Sequence, residues 1–476
     1  MTKIQKQEGV TRSERYLIEL CERSFLRLWS YPNVFRAPGK ELCDLLVIFE
    51  NDIIIFSDKS CHFKNSGDLQ LDWDRWYRNA IEKSMAQVYG AERWIRKYPT
   101  QLFLDVNCTQ PFPLKLGDPT ALRFHRIVVA IGAADRCREH LGGSGSLLIY
   151  PQLAEPDSNL PHNKPFIVGG GTKDGGHVHI FDDVTLDIVL GELDTITDFV
   201  RYLRKKEAFI PSSSLLASEE DLLAYYLQGY DPQGEHEFAL PKGSTVVVDQ
   251  SMYSELLSDA RYIAEKEANR ISYSWDRLIE HFSGFVLDGT VTGSGTETSP
   301  AAHEKRLRPM AIASRRTRRM LGSVLDEFFR AEPMGINVRA VTASTQPHLG
   351  YVFLLMSRRG HANYNEYRDA RRVVLHAYCI VYRLKNPQLR TVIGIAGEPQ
   401  GEPGPVSEDL ITIDESQWTP ELASQAKKLE RQCRLLTDAK WHRRGDPAAS
   451  SAPNPSMEGN RRERRARAAK ARQQPR

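Results

Sequence analysis

The chain has 476 residues, of which 41% are hydrophobic and 26% charged, with a net charge of +3. This is an ordinary globular composition, and the length suits about two or three domains. No apolar run approaches the ~18 residues that a membrane span needs, and the N-terminal segment MTKIQKQEGV lacks the apolar stretch of a signal peptide. Seven scattered cysteines without a CxxC pair predict reduced thiols, neither a disulfide framework nor a zinc site. We therefore expect a folded, cytoplasmic protein with no membrane partner.

The first predicted element is an amphipathic helix over residues 11–30. Its apolar positions recur at helical spacing, at Leu17, Leu20, Cys21, Phe25 and Leu28. Thr11 or Ser13 can serve as the N-cap. Glu14 falls on the apolar face of this helix and Glu22 at its edge. Burial of a carboxylate without a partner is energetically costly. Glu14 is therefore a candidate functional acid, and its alternative is an ordinary helix charge.

Two apolar strands joined by a tight turn follow, between Asp44 and Lys59. The runs LLVIF and IIIF are separated by Glu50-Asn51-Asp52, and their apolar character predicts a sheet that is covered on both faces. The outer ends of a hairpin lie side by side, so Asp44 and Lys59 are expected to converge. Side chains alternate along a strand, so Lys59 shares a face with Ser57, while Asp58 points away unless a bulge intervenes.

An acid and a lysine at one sheet edge are the minimum set of side chains for metal-assisted hydrolysis of a phosphodiester. The acid holds a divalent cation, and the lysine stabilises charge or positions the attacking water. The alternative is a buried hairpin in which Asp44 and Lys59 only pair with each other. A second amphipathic helix is predicted over residues 74–96, and it places Lys83 and Gln87 four residues apart on one flank. These two side chains either reach the site or form a polar helix flank.

The acid, turn and strand-terminal lysine resemble the PD-(D/E)xK nuclease superfamily, most closely its NERD-like and Mrr-like branches. The resemblance implies an α/β fold with a restriction-endonuclease-like core of helix, mixed sheet and helix over residues 11–100. Asp44 matches the first acid and Lys59 the lysine, but the second acid falls on Ser57, which is a poor ligand for a hard cation. Asp58 could swing in through a bulge, another carboxylate could substitute, or the site has lost its metal. The other candidate carboxylates are Glu14, Glu22 and Glu41.

The resemblance also implies roles for these residues. Asp44 and Glu14 would hold Mg²⁺ or Mn²⁺, and Lys59 would orient water or stabilise charge. Gln87 would support the site, and Lys83 would contact nucleic acid, with DNA favoured over RNA. The resemblance implies a metal-dependent nuclease with a role in defence against foreign DNA. The alternative is an inactive member that serves as a nucleic-acid-binding or protein-interaction module.

The sequence as a whole predicts three regions. Residues 11–235 form the nuclease-like α/β domain, and residues 244–440 form a second α/β domain in which no catalytic motif is recognisable. Residues 445–476 form a disordered basic tail, which either binds nucleic acid or only solubilises the protein. The last 16 residues carry a charge of +7, which leaves −4 on the rest. The tail residues proposed to bind nucleic acid are Arg461, Arg462, Arg464 and Arg465. A homo-oligomer is left open.

Three weaker patterns complete the sequence. His177 and His179 share a strand face near Asp182 and could form a metal pair, although satisfied strand histidines are more common. Residues 101–106 are predicted to form a strand. A basic cluster either faces phosphates or meets a neighbouring acidic surface, and it consists of Arg315, Arg316, Arg318 and Arg319.

Overall fold

The protein has an α/β fold with two main sheets, seen in a computed structural model. The structure describes residues 2–150, 164–169, 176–210, 216–232, 234–239, 248–291, 298–330, 335–402 and 406–437. The predicted α/β class is therefore confirmed.

Runs of helices and runs of strands are mixed along the chain. The helices are α1 (Arg12–Phe25), α2 (Leu69–Tyr77), α3 (Lys83–Lys97), α4 (Ala134–Leu141), α5 (Thr185–Glu192), α6 (Ile196–Phe209), α7 (Glu219–Gln228), α8 (Met252–Leu257), α9 (Ala260–Asn269), α10 (Tyr273–Leu287), α11 (Pro300–Ala311), α12 (Arg315–Arg330), α13 (Tyr364–Lys385) and α14 (Pro420–Cys433). The strands are β1 (Ser30–Ala37), β2 (Lys40–Phe49), β3 (Asp52–Ser60), β4 (Arg123–Ile131), β5 (Leu148–Ile149), β6 (Ile167–Val168), β7 (Val178–Asp182), β8 (Ala217–Ser218), β9 (Ile336–Thr342), β10 (Leu349–Met356), β11 (Thr391–Gly397) and β12 (Asp409–Ile413).

The larger sheet is mixed, with strand order β1-β2-β3-β4-β7. Strands β1, β2 and β3 pair antiparallel, whereas β3, β4 and β7 run parallel. The predicted hairpin is present as β2 and β3. Phe49 pairs with Asp52 across the turn, where Glu50 adopts a left-handed φ of 54°. Both strands are buried along nearly their whole length, as expected for a sheet covered on both sides.

Helix α1 begins where the sequence predicts. Thr11 is its N-cap and forms a capping box with Glu14, which satisfies backbone N–H groups at both positions. Ser57 and Asp58 point to opposite faces of β3: Ser57 bonds to α3, while Asp58 lies near Ser13 of α1. The two helices therefore cover opposite faces of the sheet beside the predicted site.

Several predicted boundaries are wrong. The first helix ends at Phe25, because Leu26 has a left-handed φ of 68° and the chain turns into β1, which the sequence analysis missed. The predicted helix over residues 74–96 is instead α2, a π-helical turn at Arg78–Glu82 and then α3. Residues 101–106 form no strand, since only Phe103 makes isolated bridges.

The second sheet has the order β12-β11-β10-β9. Strands β10 and β11 are parallel and joined through α13, and the outer strands are antiparallel to them. One continuous apolar core extends from Leu17 through Trp275 of α10 to Ile395 of β11. The buried indole of Trp29 also donates to Glu304 Oε1 of α11 at 2.7 Å. The helices between the two sheets thus pack against both.

The basic cluster at the start of α12 meets acids of the protein itself. Arg315 and Arg318 are buried, and each donates at 2.8 Å to one carboxylate oxygen of Asp276. Arg315 also binds Asp194. The second interpretation of this cluster, a neighbouring acidic surface, is therefore correct for these two arginines.

Two further expectations concern the whole described chain. All seven cysteines are described, and none forms a disulfide. Across the described ranges, no helix combines the length and apolarity that a membrane crossing requires.

Candidate functional site

The candidate site lies where the two strands of the hairpin separate. The last paired residues of β2 and β3 are Leu45 and Phe56. Beyond them the Asp44 carboxylate takes the place of a backbone acceptor, since its Oδ2 accepts from the Asp58 backbone N–H at 2.6 Å. Asp44 is only 5% exposed. A buried carboxylate is therefore fixed at the point where the sheet opens.

Gln87 links the Asp44 carboxylate of β2 to Ser57 of β3. It lies in the second turn of α3, and its Oε1 accepts a hydrogen bond of 2.8 Å from the buried Ser57 hydroxyl. A side-chain hydrogen bond from Gln87 also lowers the pKa of Asp44. One amide thus connects α3 to both strands.

The two lysines of the predicted site differ in placement. Lys59 is half-buried near the end of β3, and its charge lowers the pKa of Asp44. Lys83 is exposed, and its Nζ donates to Asn79 Oδ1 at 2.7 Å. The charges of both lysines lower the pKa of Cys61, although burial raises that pKa overall. Lys83 therefore lies at the same sheet edge, on its solvent side.

Of the helix acids, Glu14 is at the site and Glu22 is not. Glu14 is half-buried, and its Oε2 accepts from the Val10 N–H at 2.7 Å and from the Thr11 N–H at 3.3 Å. Its charge raises the pKa of Asp44. Burial raises the pKa of Glu22 as well, but its charged neighbours are Lys6, Arg27 and Glu280.

The carboxylates at the site shift one another's titration. Burial raises the pKa of Asp44 despite the opposing Lys59 charge and the Asp58 hydrogen bond. Glu41 reaches solvent at the rim, and desolvation followed by the charges of Asp44 and Glu14 raises its pKa to about 7. Because the Glu41 side chain is exposed, solvent screens part of this effect. The Lys59 charge opposes the rise in pKa of Glu41, of Asp44 and of the neighbouring Asp58, so acids outnumber this lysine at the site.

Asp58 is the acid that strand alternation directed away from the site. It does point to the α1 face, yet it is buried, with 4% exposure. Burial, Asp44 and Glu14 raise its pKa to about 6, while Ser13 and Lys59 lower it. The Ser13 hydroxyl is near enough to act on this pKa, but neither Asp58 oxygen has a hydrogen bond of normal geometry to any described group. The sequence signal for Asp58 was its position next to Lys59.

The donors at the site are oxygen atoms, the kind that Mg²⁺ and Mn²⁺ prefer. Within the described ranges, however, no three His, Cys, Asp or Glu side chains are arranged to hold one ion together. Any cation here would accordingly rely on one or two carboxylates and on water.

The histidine pair is engaged elsewhere. The buried His179 Nε2 lies 3.0 Å from Glu207 Oε1. Asp182 accepts from the Leu147 backbone N–H at 2.6 Å and from the Thr185 hydroxyl at 2.9 Å. His177 contacts His179 ring to ring at 4.7 Å. These groups are strand residues with partners of their own, so they are not gathered around a metal.

The tail residues Arg461, Arg462, Arg464 and Arg465 lie outside the described residues. Comparison with known proteins gives no further guide to the site. A scan against protein-family models, a search of curated proteins and a search of solved structures each found no match.

Proposed function

We propose that this protein is a metal-dependent phosphodiesterase that acts on nucleic acid, with DNA favoured over RNA. The observation that carries the proposal is the meeting of Asp44, Lys59 and Gln87 at the open end of the hairpin. These three residues come from two strands and a helix, and each was expected at this place on its own grounds. Defence against foreign DNA remains the biological role that the resemblance suggests.

The order of the surrounding elements supports the same proposal. Helix α1 precedes the hairpin, the mixed sheet contains it, and α3 follows it. A helix, a mixed sheet and a helix make up the restriction-endonuclease-like core that the resemblance implies. The support is architectural, because many unrelated activities use α/β sheets.

The chemistry of the site fits a divalent cation. Carboxylates in excess over lysine would repel a phosphodiester, and a bound divalent cation would offset this negative charge. Asp44 and Glu14 are the residues proposed to hold it. When bound, such an ion supplies Lewis acidity and lowers the pKa of a water molecule.

The chain's own groups then have separate tasks. The Asp58 backbone N–H and the Gln87 amide fix the orientation of the Asp44 carboxylate. The Lys59 ammonium, half-buried at the end of β3, offers a positive charge to the phosphate oxygens. Exposed Lys83 stands where a flanking phosphate would pass.

A second candidate is a nuclease fold without activity that binds nucleic acid or a protein. Ser57 favours it, because a buried hydroxyl bonded to Gln87 stands where the family has its second acid. In this alternative Asp44 and Lys59 serve only to hold the strand ends.

The test is a plasmid-cleavage assay with Mg²⁺ or Mn²⁺. Wild type is compared with Asp44→Ala and Lys59→Ala, and Lys97→Ala at the far end of α3 is a matched lysine control. We expect each site variant to lose at least about a hundredfold in rate, and the control to retain full activity. Cleavage that persists in both site variants would refute the site. No cleavage by wild type, together with salt-sensitive DNA binding, would establish the second candidate.

A further inference from the structure

Asp58 is a buried acid beside Asp44, and its carboxylate is less well satisfied than those of Asp44 and Glu14. Its side chain is more than nine-tenths buried, and both of its carboxylate oxygens lack a partner of normal geometry among the described residues. By contrast, Asp44 accepts from a backbone N–H, and Glu14 caps α1. Buried polar groups in folded proteins are nearly always satisfied, so such an exception calls for a missing partner.

A cation is the partner that the surroundings favour. An ionised carboxylate buried without a hydrogen bond is unstable, and burial is tolerated when the charge is paired or coordinates a metal. Lys59 is the lysine whose charge acts on Asp58, and it also acts on two other carboxylates, those of Glu41 and Asp44. Asp44 is bonded to the Asp58 backbone, so the two acids are direct neighbours.

We infer that Asp58, in the absence of an acid at position 57, supplies the second carboxylate of the cation site next to Asp44, in place of Glu14. The inference rests on the proposed function and identifies which residue replaces the family's missing acid. It places that carboxylate on the α1 side of β3, whereas Ser57 faces α3. Two carboxylates with several waters are an ordinary set for Mg²⁺, which agrees with the lack of a three-residue ligand group in the described chain.

The test is calorimetric titration of the full-length protein with Mn²⁺ and with Mg²⁺, comparing wild type with Asp58→Asn. We expect affinity to fall at least about tenfold in the variant. Asparagine keeps the shape and removes the uncompensated charge. The melting temperature of the variant in EDTA should therefore equal or exceed that of wild type. Glu82→Gln, which removes an exposed carboxylate from the π-helical turn, should bind Mn²⁺ as wild type does.

The outcomes separate this inference from the proposed function. Unchanged affinity in Asp58→Asn with loss in Asp44→Asn would overturn the role of Asp58 and leave the proposed function standing. A melting temperature that drops in EDTA would show that Asp58 is a structural acid and would also overturn it. Failure of wild type to bind either ion would overturn both proposals.

Discussion

Replacement of Gln87 by alanine tests whether α3 holds the two strand ends together. Gln87 accepts from the Ser57 hydroxyl at 2.8 Å and donates toward Asp44. Ser57 is fully buried, so the Gln87→Ala variant leaves its hydroxyl without a partner. We expect the free energy of unfolding to fall by about 2–3 kcal/mol, since an orphaned buried donor costs about 1–3 kcal/mol and a lost hydrogen bond about 1 kcal/mol.

The partner variant Ser57→Ala should cost less. It removes one hydrogen bond and leaves the half-buried Gln87 amide, which can turn to water, so about 1 kcal/mol is expected. The double variant should be no less stable than Gln87→Ala alone, because no orphaned hydroxyl remains. The two losses therefore overlap, with a coupling free energy of about 1 kcal/mol.

The assay is urea unfolding of the four proteins, followed by tryptophan fluorescence and compared through midpoints at constant slope. Mn²⁺ affinity of Gln87→Ala should drop by about tenfold, as for other residues that orient a ligand. Losses that add without coupling would show that the Ser57–Gln87 bond is not formed. The convergence on which the proposed function depends would then be wrong.

Three further predictions concern other parts of the chain. Asp276→Ala should lower the free energy of unfolding by about 3–5 kcal/mol in urea titrations, because it leaves the buried guanidinium groups of Arg315 and Arg318 without this acid. A loss below about 1 kcal/mol would contradict the buried pairing. Burial raises the pKa of Asp409, but Arg371 and Arg368 outweigh burial and hold the pKa below its usual value. This stabilisation is present above the unfolded pKa and is lost as pH falls through the folded pKa, so Asp409→Asn should flatten the acid limb of a circular-dichroism pH titration; an unaltered limb would count against it. Removal of residues 445–476 should weaken binding to a DNA duplex at low salt by at least about tenfold and reduce its salt dependence, and equal binding isotherms would assign the tail a solubilising role.

The clearest helical and strand patterns in the sequence agree with the structure. Thr11 caps α1, and β2 and β3 form the hairpin. Capping and alternation are local, so they can be read from neighbouring residues. The weaker elements depended on distant partners. Strand β1 was missed, because a strand with Pro32 and Asn33 is stabilised by pairing with β2 and not by its own propensities.

The candidate site likewise has features that the sequence predicts and features that only the tertiary structure decides. From the sequence alone came the convergence of Asp44 and Lys59 and the flank that carries Gln87, which follow from strand and helix periodicity. The departure at Ser57 came from the resemblance. Tertiary structure decided the rest. Asp58 became a buried member of the acid cluster only because α1 covers that face of β3. Periodicity gives the direction of a side chain, whereas burial, hydrogen-bond partners and neighbouring charges depend on which distant elements pack against it.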